Sequence, residues 1–295
     1  MDLEEQLSRL DLSTYPIKEI EKIVEGLYKL GLLSTSIPAG ATFQRCSPIS
    51  LNETIYSVSR LSYNPHPEKF GRANASCLEK FGRAYFHNIQ MFYGCYDVPN
   101  EQTIEQIRES SVKERAVSFF EAKAHRYPAL IYSKWLVKQP LQVGCIIHPS
   151  VFPNSNNDYL EELKNNYTSK VERNIDASLD NIWAQVCAQF AKVFLDDNDY
   201  NYLFTALLTN KLLEVSKLSK VSPYDGILYP SVKAEGNYCM NLALTKDAVD
   251  RKISFMKACK SSIKVDDNGK YYTIPIQRGV SPDGQKLIWF DEPKH

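Results

Sequence analysis

The sequence predicts an α+β chain of 295 residues, one large domain or one domain with additions. Three observations carry that expectation. Residues 129–137 and 141–147 are rich in Ile, Val, Tyr and Trp and are split by Lys138-Gln139-Pro140, as paired strands are. Two later stretches repeat apolar residues in steps of three and four, which buries one stripe of a helix. They run through Ile175, Leu179, Ile182, Val186, Phe190 and Val193, then through Leu203, Leu207, Leu208, Leu212, Val215 and Leu218. Residues 261–295 read as a small antiparallel meander, turning at Asp266-Asp267-Asn268-Gly269 and Ser281-Pro282-Asp283-Gly284.

Taken in order, residues 1–36 form a helical extension. Leu3, Leu7 and Leu10 share one face, and Ile17, Ile20, Ile23 and Leu27 share another, with Pro16 between them and Gly31 at the end. Residues 37–260 are the main unit. Its first part is irregular and strand-rich, and Thr42-Phe43-Gln44-Arg45 alternates like a strand. Asn64-Pro65-His66-Pro67 marks a loop. Residues 100–127 return to a helical pattern, after the aromatic run Met91 to Tyr96. Pro149 to Asn157 is a polar loop. Asp196-Asp197-Asn198-Asp199 is a solvated turn without the glycine of a calcium loop. Tyr224 to Val232 is a loop feeding a short apolar run that stops at Pro230, which has no N–H. On local chemistry alone this is a turn and an edge strand. Ala248 to Lys257 reads as a short helix.

An apolar fraction of 43% is ample for a core, and 18 Tyr and 13 Phe promise packed aromatic surfaces. Lys+Arg and Asp+Glu are both 35, so the chain lacks the broad positive field of a general nucleic-acid binder. A local basic pocket for a phosphate is still open. Seven cysteines, an odd number with no CxxC pair, predict reduced thiols in a cytoplasmic protein. The five histidines show no metal-ligand spacing, so no metal site is expected. The start, Met1-Asp2-Leu3-Glu4-Glu5, is unlike a signal peptide. No apolar run reaches the ~18–20 residues of a membrane span. The Walker loop, GxGxxG and GxSxG patterns are absent.

A scattered set of residues resembles the RES family, named for its Arg, Glu and Ser. Phe43-Gln44-Arg45 matches its opening strand, and Gly71, Arg72 and Asn74 match its GRxN segment. Tyr85 matches its tyrosine, and Ala116 to Glu121 its helix ending in Glu. Asp225, Gly226, Ile227, Tyr229, Pro230 and Ser231 match DGIxYPS, followed by Asn241, Leu242, Val249 and Asp250. The match covers roughly residues 40–260. The chain departs at Cys77, where the family often has Gly, and in a longer stretch between Tyr85 and Glu121, which implies an insertion around 88–115 that holds the aromatic run.

The resemblance implies a mixed, mainly antiparallel sheet core of ADP-ribosyltransferase-like type with surrounding helices. It implies NAD as substrate, consumed by hydrolysis or phosphorolysis or used to transfer ADP-ribose, and a toxin paired with an antitoxin protein. Under it, Glu121 (or Glu114) supports the positive charge that develops on ribose. Arg45 clamps the pyrophosphate, with Arg72 as a second phosphate ligand beside Asn74. Tyr85 stacks on nicotinamide or ribose, and Ser231 hydrogen-bonds ribose or phosphate. Plain structural roles stay open: a carboxylate partner for Arg45, a core place for Tyr85, a solvated helix face for Glu121 and a loop-shaping role for Arg72 and Asn74. An inactive RES-like binding module is the alternative function.

Overall fold

The computed structural model describes residues 3–14, 16–27, 33–63, 91–96, 103–153, 157–174, 177–192, 202–218, 223–231 and 239–292. Arg72, Asn74, Cys77, Tyr85 and the Asp196–Asp199 turn lie outside the described residues. In chain order the elements are α1 (Leu3–Ser8), α2 (Ile17–Leu27), β1 (Leu33–Ile37), β2 (Thr42–Ile49), β3 (Met91–Tyr96), α3 (Ile104–Glu121), β4 (Ala129–Val137) and β5 (Leu141–Cys145). There follow α4 (Asp158–Asn174), α5 (Ala177–Lys192), α6 (Tyr202–Leu218), β6 (Gly226–Pro230), β7 (Met240–Thr245), α7 (Lys246–Lys252), β8 (Ile253–Val265), β9 (Tyr271–Val280) and β10 (Ile288–Asp291).

The described strands form one sheet in the order β1-β5-β6-β7-β3-β2-β4-β8-β9-β10. Every pair is antiparallel except β5 with β6, which are joined by the long crossover that carries α4, α5 and α6. The α+β, mainly antiparallel class follows from this order. Side chains alternate between the two faces of each strand. On one face Met91, Ile227, Tyr229 and Ala243 pack under Ile20, Val24, Trp183, Val186, Phe190, Phe204 and Leu207 of the helices. On the other, Phe43, Phe92, Trp135, Leu228, Leu242 and Leu244 form a second core. Phe92 stands edge-on to both Phe43 and Trp135, with ring centroids 5.5 and 5.0 Å away.

Several sequence expectations are redrawn. The helical extension ends in β1, which closes one edge of the sheet against β5, and Ile20 and Val24 of α2 belong to the main helical core. The aromatic run 91–96, expected within an insertion, is β3, a buried strand between β7 and β2. Glycine and cysteine gave it no β-branched signature, and its partners are distant in sequence. The Tyr224–Pro230 segment is a central strand rather than an edge, all five residues of β6 being buried. The helix expected over 248–257 is shorter and earlier, α7, because the chain becomes β8 at Ile253. Thr245 caps α7 by accepting a hydrogen bond from the Ala248 N–H at 3.2 Å. α4 went unread because its apolar stripe is thin, mainly Leu160, Leu163 and Tyr167.

The β6–β7 pairing is fixed at Gly226. A Cβ there would stand 2.1 Å from the Ala243 carbonyl oxygen and 2.9 Å from the Leu244 Cα, both backbone atoms. Just before it, the Asp225 carboxylate accepts hydrogen bonds from the Gln142 N–H and the Lys252 ammonium, each at 2.7 Å. The Asp and Gly of DGIxYPS therefore have structural work in this fold. Gly226→Ala is expected to cost about 3 kcal/mol or more through overpacking, read as a lower urea midpoint. Unchanged stability would mean that the two strands separate more easily than their geometry implies.

Candidate functional site

Register sets the site. Gln44 of β2 stands opposite Cys95 of β3, Cys95 opposite Asn241 of β7, and Asn241 opposite Tyr229 of β6. Directly paired residues share a face, so one row of side chains crosses four strands. Ser231 follows β6 two residues after Tyr229 and falls on the same face, its N–H bonded to the Cys239 carbonyl at 3.1 Å. The helix α3 lies over this face, and its last residue is Glu121.

There the carboxylate oxygen Oε1 of Glu121 accepts two hydrogen bonds, from the Ser231 hydroxyl and from the Asn241 side-chain amide, each at 2.7 Å. Ser231 is fully buried and Asn241 nearly so, while Glu121 keeps partial access to solvent. The Cys95 thiol donates to the Asn241 amide oxygen at 3.4 Å. That bond orients Asn241 so that its NH₂ faces the carboxylate. Burial, followed by the Glu121 charge, holds the Cys95 thiol well above its usual pKa, so it stays protonated as the donor.

Glu114 is placed differently. It is 3% exposed and accepts a hydrogen bond from the Gln44 amide at 3.0 Å. The same amide donates to the Ser111 carbonyl at 2.9 Å and hydroxyl at 2.7 Å, and Arg115 Nε donates to the Gln44 carbonyl oxygen at 3.1 Å. Glu114 therefore pins α3 to β2, and Glu121 is the carboxylate that meets Ser231.

Arg45 does not join this cluster. Gln44 points to α3, so its neighbour points to the opposite face. The guanidinium lies 5.1 Å over the Phe92 ring, and Nη1 donates to the Tyr93 carbonyl at 2.9 Å. Among the described residues, β2 and β3 share one bridged pair, Gln44 with Cys95. Its Nε is buried and has no hydrogen-bond partner among the described residues. Burial pushes the Arg45 pKa down to about 10. Arg72, Asn74 and Tyr85 lie outside the described residues.

Of the site candidates, the structure thus joins Glu121 to Ser231 and sets Arg45 apart. Asn241 completes the cluster. Asn241 falls in the RES-like pattern, but its place beside Ser231 comes from the pairing of β6 with β7, which residue order does not show. Other matched positions are structural: Tyr229 packs edge-on against Phe190 at 5.1 Å, and Asp250 pairs with Lys246 on the surface. Among the described residues, no group of three or more His, Cys, Asp or Glu side chains could hold a metal ion, and no helix is long and apolar enough to cross a membrane.

Two substitutions check the arrangement. Asn241→Asp places a second carboxylate against Glu121, and the pair must share a proton. Its folded pKa rises, so the variant is close to wild type at about pH 4 and loses about 2 kcal/mol as pH rises to 7. Chemical denaturation at both pH values reads this, and a pH-independent deficit would contradict the contact. Arg45→Met removes a desolvated cation and should leave stability unchanged or raise it by about 1 kcal/mol. A large loss of stability would show that the guanidinium is a structural necessity. No family model, no curated protein and no solved structure matches the chain.

Proposed function

We propose that this chain is an NAD-consuming enzyme of RES type, cleaving the nicotinamide–ribose bond by hydrolysis or phosphorolysis or transferring ADP-ribose, and acting as the toxin of a toxin–antitoxin pair. One observation carries the reading: Glu121, Ser231 and Asn241, from three separated segments, meet through two hydrogen bonds of 2.7 Å at the end of the sheet. Cleavage of the glycosidic bond leaves positive charge on ribose, and a fixed carboxylate stabilises that charge without reorganising. Two donors on one oxygen hold Glu121 in place. They also draw off some of its charge, which suits a group that positions an incoming nucleophile. Arg45, on the opposite face of the sheet, is not part of this arrangement, and Arg72, Asn74 and Tyr85 keep the roles the resemblance implies.

A second reading is an inactive RES-like module that binds NAD, ADP-ribose or a partner protein. Arg45 favours it, because the guanidinium is tied to the Tyr93 carbonyl on the face opposite Glu121.

Incubation of the purified protein with NAD, with and without phosphate, separates the two. The enzyme reading expects loss of NAD and release of nicotinamide. Glu121→Gln should lower kcat about 10²–10³-fold with little change in KM. Intact NAD after prolonged incubation, with binding seen by calorimetry, would establish the module instead.

A further inference from the structure

A second polar cluster lies where the chain leaves β5 and is independent of the NAD reading. The chain leaves β5 at Cys145, and the Ile146 N–H bonds to the Leu228 carbonyl at 2.9 Å, extending the parallel ladder with β6. This carries His148 to the same end of the sheet as Ser231. The Trp183 indole of α5 donates to the Ile147 carbonyl at 3.0 Å and fixes the loop there. His148 is 8% exposed, and its two ring nitrogens have different partners. Nδ1 stands 2.7 Å from the Ser150 hydroxyl and 3.2 Å from the Ser150 N–H. Nε2 stands 3.2 Å from Oδ1 of Asp180, in the first turn of α5. The Tyr167 hydroxyl donates to the same Oδ1 at 2.8 Å, and its ring lies edge-on to the imidazole at 5.3 Å.

The proton positions follow from the partners. A backbone N–H only donates, so Nδ1 is the acceptor nitrogen. In the neutral ring the proton is then on Nε2, facing the Asp180 carboxylate. The Ser150 O–H therefore points at the unprotonated ring nitrogen, with the Asp180 carboxylate on the opposite side of the ring. Hydroxyl, imidazole and carboxylate in this order, each within hydrogen-bond reach, make up the nucleophile–base–orienter arrangement of covalent catalysis. The ring is turned relative to the familiar serine triad, with Nδ1 on the serine side. Ser150 is exposed, so a substrate can reach it, and the base behind it is shielded from water.

We infer that Ser150 is an activated nucleophile, with His148 as its general base and Asp180 as the orienting carboxylate, acting on carboxylic esters. Ser150 Oγ forms a bond to the ester carbonyl carbon, and its proton passes to His148 Nδ1. The carbon–oxygen bond to the alcohol breaks, and the leaving alkoxide takes the proton from Nδ1. Water then attacks the acyl-serine carbonyl, again giving its proton to Nδ1. The carboxylic acid leaves, and the proton returns to Ser150.

A fluorophosphonate probe and p-nitrophenyl acetate test this on the full-length chain. Mass mapping of the probe-treated wild-type protein should find the adduct on Ser150 in preference to every other serine. Esterase turnover should disappear in Ser150→Ala. Labelling should slow about 10²-fold or more in His148→Gln and in Asp180→Asn. The absence of a Ser150 adduct on folded wild-type protein overturns the inference, whatever the variants do. An adduct that forms at the wild-type rate in a folded His148→Gln protein overturns it as well. NAD consumption measured in Ser150→Ala separates this centre from the Glu121 site.

Discussion

The contact between β6 and β7 is the constraint on which the rest depends. Gly226 lies so close to the Ala243 carbonyl that no side chain fits between the strands, and the Asp225 carboxylate ties the entry of β6 to Gln142 and Lys252. These contacts lock Tyr229 opposite Asn241. A slip of one residue would turn Ser231 or Asn241 to the opposite face, because side chains alternate strictly along a strand. The meeting with Glu121 is therefore decided by packing several residues away, in a stretch that touches no part of the site. An apolar substitution in β6 could disable the cluster and leave all three polar side chains intact.

The same sheet handles buried polarity in two ways. On the α3 face, Gln44 is 2% exposed yet bonded to Ser111, Glu114 and Arg115, so its desolvation is offset by partners. On the opposite face, Arg45 has a buried Nε without a partner among the described residues, and its head meets a carbonyl and an aromatic ring. A fold selected for stability alone would place an apolar residue there. That cost gives Arg45 a different standing from the Asp225–Lys252 pair, where carboxylate and ammonium meet directly.

The sequence made local features legible and left long-range ones hidden. β4 was readable to its ends because Ile131, Tyr132, Trp135 and Val137 carry their own strand preference. β3 was not, since Gly94 and Cys95 prefer nothing in particular and the strand's place comes from partners at 44 and 241. Glu121 and Ser231 could be named from a pattern of residue order, but their contact depends on α3 lying over β7 and β6. The face taken by Arg45 could not be named, because it depends on Gln44 being drawn to α3. His148 and Asp180 are separated by 32 positions and form no recognisable spacing, so their meeting exists only in three dimensions.

Strand order also bears on how the molecule comes to exist. β3 is flanked by β2 and by β7, and β7 is made about 150 residues later than β3 itself. During synthesis β3 therefore leaves the ribosome with one flank open, and that flank stays open until the helices α4 to α6 and the strand β6 have followed. An aromatic, uncharged strand thus keeps one unpaired flank for about half of translation, the interval in which non-native strand pairing competes with β7.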